Sequence, residues 1–142
     1  MIVALRDDRE LITWQDVLKA KLLNSVGPAE GVEYIERERH AVAVHEACHA
    51  VVSYLVQRGN VIDTATIQKG QGHLGFVSPI PIEERFTSWR SEYDADIMVS
   101  LVSLVGERMF FGDDNSSGVS GDLANAANVA LAMEGLWGIG KT

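Results

Sequence analysis

The segment from Ala41 to Val56, AVAVHEACHAVVSYLV, constrains this chain more than any other. It is apolar almost throughout, yet His45, Glu46 and His49 stand inside it in the order H-E-x-x-H. In a helix, at about 100° per residue, His45 and His49 fall one turn apart on one face, where two imidazoles can grip a single metal ion. Glu46 then stands beside the ion without binding it. Three titratable side chains on an apolar helix are costly to bury unless they are paired, hydrogen-bonded or bound to metal. The pattern suits hydrolysis at zinc, with the metal polarising a carbonyl and acidifying water while a glutamate takes the proton.

Two histidines leave an open zinc site one protein ligand short. His40 lies about 140° around the helix from His45, and His73 falls in a turn region, so the third ligand is expected to be a carboxylate. Glu107, Asp113, Asp114 and Asp122 are the candidates. Asp122 falls in the first turn of the last helix, where backbone N–H groups favour an anion. Spacing alone leaves the choice among the four open.

Around the motif the chain reads as mainly α with a small β-hairpin (α+β). Thr13 and Asp16 resemble a capping box that opens a helix with an apolar stripe of Trp14, Val17, Leu18 and Leu22. Asp7, Asp8, Arg9 and Glu10 form a charged turn ahead of it, and Gly27, Pro28 and Gly31 form the linker behind it. The EYIERERH run opens the motif helix, which is expected to reach Gln57, stop at Gly59 and Asn60, and be buried on nearly all sides. Val61 to Gln68 and Leu74 to Val77 read as two strands, ended by Pro79 and Pro81. From about Ser88, Tyr93, Ile97, Leu101, Leu104, Val105 and Met109 recur at helical spacing. A polar loop from Gly112 to Gly118 leads to a last helix over Ser120 to Glu134, with Gly135 as its stop.

The totals exclude several function classes. A chain of 142 residues with a formal charge of −8 offers no basic surface for nucleic acid. One cysteine, Cys48, rules out an internal disulfide framework and makes a reducing, cytoplasmic compartment the default. No stretch has a signal peptide's layout, and the apolar run Ile97 to Val105 is too short to span a bilayer. Gly135 to Thr142 fits the phosphate-loop pattern G-x-x-x-x-G-K-T. A helix rather than a strand precedes it and no helix follows in the sequence, so nucleotide binding is not expected.

Several blocks, in order, resemble the peptidase domain of the FtsH-type AAA proteases, ATP-dependent zinc metalloproteases. HEACHA from His45 resembles the family's H-E-A-G-H-A, and ATIQKGQG from Ala65 resembles its V-T-I-x-P-R-G strand and turn. Leu74-Gly75-Phe76 matches a following L-G-y/f, and Gly106 to Gly112 approaches a helix end A-E-E-x-x-F-G. SGVSGDLANAANVALAMEGLWG from Ser117 resembles the T-G-A-S-N-D-L block with its helix. The resemblance covers about Tyr34 onward, and residues 1–27 resemble the end of an AAA lid plus linker, leaving 28–142 as the peptidase domain. It implies a zincin-type H-E-x-x-H helix in a helical peptidase domain, with Zn²⁺ held by His45, His49 and Asp122 and with Glu46 as general base.

It also implies unfolded or membrane-extracted polypeptide as substrate and a role in protein quality control. An AAA ATPase module outside this chain and a homo-hexamer in the full-length form follow by the same resemblance, with the parent anchored at the inner face of a membrane. The strand near Thr64 to Gln68 is expected to pair with extended substrate. Cys48 stands where the family has glycine, Gly121 where it has asparagine, and Gln68-Lys69 where it has Pro-Arg. Two rival readings remain: a non-hydrolytic assembly module that keeps the fold, and a plain helical interaction domain whose histidines bind nothing.

Overall fold

The computed structural model describes residues 2–6, 9–28, 31, 33–70 and 72–140. Helix α1 (Ile2–Arg6) and helix α2 (Trp14–Val26) come first. The capping box expected at Thr13 is present: Asp16 N–H donates to Thr13 Oγ1 at 3.4 Å, and Thr13 N–H donates to Asp16 Oδ2 at 2.7 Å. Arg9 also holds the Asp16 carboxylate, whose pKa falls well below the ordinary range because of that hydrogen bond. Asp7 and Asp8, the other half of the expected charged turn, lie outside the described residues. So do Lys141 and Thr142 at the end of the phosphate-loop-like string.

Helix α3 (Glu36–Val56) carries the motif. Glu36 and Glu38 in its first turn complement the helix dipole, and Gln57 caps the other end. Strands β1 (Asn60–Thr66) and β2 (Phe76–Pro81) form a two-stranded antiparallel sheet beside α3, with an irregularity at Asp63. Helix α4 (Arg90–Phe111) runs antiparallel to α3: Glu107 meets His45 near one end, and Asp96 meets Gln57 near the other. Gly112, in the left-handed conformation at φ 70°, ends α4. A 3₁₀ turn (Ser117–Val119) leads into helix α5 (Ser120–Gly135), which lies antiparallel on α4 through Ser103 to Asp122 and Ser100 to Asn125.

Two expectations fail, each for a physical reason. Helix α3 is not buried on nearly all sides, because Val51 is 58% and Tyr54 77% exposed, with Ala47 and Leu55 on the same open face. Among the described residues, α4 and the small sheet make its main packing contacts, and these cover less than its circumference. The apolar stripe of α4 likewise faces partly outward at Leu101, Val105 and Met109, while its buried face is Ala95, Ser100, Ser103, Gly106 and Glu107. Small residues there let the helices approach. Finally, Pro79 and Pro81 do not end the hairpin: they lie within β2, opposite Ile62 and Asn60, and the strand begins at Phe76 rather than Leu74. In a two-stranded sheet each strand has a free edge, where a missing N–H costs no ladder bond.

Candidate metal centre

Helix α3 aims His45 and His49 at one point, and each ring's orientation is fixed from behind. His49 Nδ1 lies 2.8 Å from the Val99 carbonyl oxygen of α4, so that nitrogen carries the proton and donates. His45 Nδ1 lies 2.8 Å from Glu107 Oε1 and is a donor for the same reason. Both Nε2 atoms therefore turn their lone pairs toward the cluster when the rings are neutral.

Those atoms stand 3.1 Å apart, and Asp122 Oδ2 is 3.2 Å from the first and 3.3 Å from the second. Three electron-rich atoms at such distances repel unless a cation or a proton lies among them. With metal–nitrogen bonds of about 2.0–2.1 Å, donors on a tetrahedral ion sit about 3.3–3.4 Å apart, so the three atoms fit zinc. Among the described residues, these three side chains form the one cluster able to hold a metal ion.

Asp122 reaches the cluster from the first turn of α5, held by Ser103 Oγ at 2.7 Å. Burial alone would raise its pKa, but the hydrogen bonds from His45, His49 and Ser103 hold it well below the ordinary range. His45 shows the converse. Burial works against its charge, yet the hydrogen bonds to Asp122 and Glu107 prevail and raise its pKa to about 9. Glu107, 2% exposed, accepts from Ser116 N–H at 2.6 Å as well as from His45. Burial opposes its charge too, and the His45 and Ser116 hydrogen bonds still keep its pKa lowered.

Glu46 stands outside the cluster and lines the cavity beside it, about 740 Å³ in volume, together with His45, His73 and Asp122. Burial raises its pKa above the ordinary carboxylate value, which the neighbouring imidazoles oppose. Gly75 leaves Glu46 its room, because a Cβ at that position would force the Glu46 side chain to shift. Cys48 Sγ lies where a Cβ on Gly106 would stand, and burial together with the Glu107 charge keeps it a thiol.

Of the four carboxylates left open by the sequence, Asp122 completes the cluster and Glu107 orients His45. Asp113 and Asp114 stay in the loop after α4 and are exposed. His40 packs edge-on to Phe111. Val99, Ser103 and Ser116 escaped sequence reading, since a carbonyl or a hydroxyl in a helix gives no signal until its neighbour is known. A second groove, about 270 Å³, joins His45, Glu46, His49 and Asp122 to Gly75, Val77 and Pro79. It is therefore β2, and not the expected β1 stretch near Thr64 to Gln68, that borders the cluster.

The class these features define is a peptidase domain built on an H-E-x-x-H helix, with a small sheet alongside and an acidic donor from a later helix. Residues 33–142 match the model of peptidase family M41. The chain is 36% identical over 141 residues to an ATP-dependent zinc metalloprotease FtsH 2 of Sphaerobacter thermophilus, covering 99% of this chain and 22% of that protein. It is 31% identical over 139 residues to the FtsH of Veillonella parvula, covering 97% and 22%. With the human ATP-dependent zinc metalloprotease YME1L1 it shares 30% over 137 residues, covering 95% and 18%. The chain belongs to peptidase family M41, and it spans about a fifth of the length of these relatives. Among the described residues no helix is long and apolar enough to cross a membrane.

Proposed function

We propose that this chain is a zinc-dependent endopeptidase domain that cuts unfolded or membrane-extracted polypeptide. Residues 28–142 form the peptidase, and 1–27 are the end of an AAA lid with its linker. The observation that carries the reading is the convergence of His45 Nε2, His49 Nε2 and Asp122 Oδ2 within 3.3 Å of one another, with Glu46 alongside but outside the set. His45, His49 and Asp122 would hold Zn²⁺, which supplies Lewis acidity toward a carbonyl and toward water. Glu46, raised by burial, accepts the proton of the attacking water and returns it to the departing amine. Glu107 and the Val99 carbonyl keep the imidazoles turned toward the ion. The free edge of β2 holds the substrate extended across the groove.

The names of the relatives support the same chemistry, and their greater length supports an AAA ATPase module in the parent protein. A homo-hexameric parent working on the cytoplasmic side of a membrane completes the proposal. The test is a metal analysis and casein proteolysis on the parent protein with and without Glu46→Gln. The variant should keep one zinc per chain and lose cleavage by about a hundred- to ten-thousandfold, the range of a general base's contribution. Cleavage at the parent rate would remove Glu46 from the mechanism, and absence of zinc from both proteins would remove the metal.

A further inference from the structure

Pro79 lies where β2 can spare a backbone donor and where the groove beside the cluster would use one. Ile82 N–H donates to the Gly59 oxygen at 2.9 Å, and the register sets Val61 against Ile80 and Ile62 against Pro79. Successive residues of a strand turn their N–H and C=O groups to opposite edges. Ile80 and Ile82 thus face β1, whereas Val77, Pro79 and Pro81 face away from it. The groove runs along this strand, since Gly75, Phe76, Val77 and Pro79 line it with His45, Glu46, His49 and Asp122, and with β1 on the inner edge the outer one is free for a peptide. A peptide adding to a sheet edge binds through main-chain hydrogen bonds, two at each residue that faces it. Val77 offers both an N–H and a C=O. Pro79 offers only a C=O, because its ring replaces the N–H.

We propose that Pro79 limits how tightly the outer edge of β2 holds an extended polypeptide, by withholding one main-chain donor beside the cluster. An extended polypeptide forms its one complete pair with β2 at Val77, and next to Pro79 it can only donate its own N–H to the proline carbonyl. This inference rests on the endopeptidase reading and deepens it. A different role for Pro79 would be to blunt the edge against pairing with a second copy of the chain, and the experiment separates the two.

The probe is a short, unstructured, fluorescein-labelled peptide of alanine, valine and lysine, added to zinc-loaded protein carrying Glu46→Gln so that it survives binding. Anisotropy should show about two- to tenfold tighter binding when Pro79→Ala is added, the fold-change of one net hydrogen bond. Pro81→Ala makes the same change outside the groove and should leave affinity unchanged. Hydrogen exchange should show the Val77 amide protected by peptide in every version. Binding with Val77 protected but unaltered by Pro79→Ala overturns the inference and leaves the peptidase reading standing. Loss of peptide binding in all zinc-loaded versions overturns both. A Pro79→Ala protein that self-associates by light scattering without binding peptide more tightly assigns the proline to guarding the edge and also overturns the inference.

Discussion

Glu107 touches no position that a metal ion would take, yet the direction of His45 depends on it through the 2.8 Å bond to Nδ1. Its other oxygen is committed to the Ser116 N–H, so swinging in as a fourth ligand would break that bond as well as the one to His45. Glu107→Gln keeps the shape but removes the charge that makes His45 a strong donor. Loss of such a partner costs about 10- to 100-fold in metal affinity. We expect that range in a zinc competition titration, with proteolysis restored toward the parent rate at saturating zinc. A variant that stays inactive when fully loaded would show that Glu107 does more than orient His45. Asp122→Asn differs, since it removes a donor atom itself and should not be rescued by added zinc within the range that rescues Glu107→Gln.

At the scale of elements, the closest fit is between α3 and α4, where Cys48 Sγ takes the space that a side chain at Gly106 would need. Gly106→Ala should destabilise the protein by about 1–3 kcal/mol through overpacking, measured by urea unfolding. Adding Cys48→Gly should recover most of the overpacking loss, because the two changes share one volume and are not additive. Additive losses would place the crowding elsewhere. The same interface shows what could be read in the sequence. His45 and His49 were legible because their relation is local, one turn of one helix, and so was the Thr13–Asp16 cap. Asp122 stands 73 residues from His49, and nothing in its spacing separated it from Glu107, Asp113 or Asp114; family resemblance, not periodicity, singled it out. The periodic pattern of α4 gave the helix but not its inner face, which is built from Ser100, Ser103 and Gly106 instead of the apolar stripe. The parity that makes Pro79 and Pro81 tolerable in β2 was hidden for a related reason: it belongs to the pairing of two strands, and a single strand's sequence does not contain it.

Across the whole molecule the donor cluster joins α3 and α5 across α4: α3 gives two imidazoles, α5 gives Asp122, and α4 lies between them with Ser103 and Glu107. Without metal, a proton on His45 must do the joining, shared with Asp122 and Glu107, and the raised value of about 9 expresses that. The sign follows from linkage. A histidine with an unfolded pKa of about 6.5 and a folded value of about 9 adds stability that is fully present below about pH 6.5 and is lost as pH rises through about 9. Chelated protein should therefore lose about 1–2 kcal/mol of stability over that window, after allowance for solvent screening. Zinc-loaded protein has no such proton to lose, and its binding adds stability on the folded side only. Urea unfolding with chelator and with zinc, at about pH 6.5 and about pH 9, should show the two forms diverging as pH rises, and Asp122→Asn should flatten the slope of the chelated form. Parallel pH profiles for the chelated and zinc-loaded proteins would mean that the cluster does not join the helices, whatever it binds.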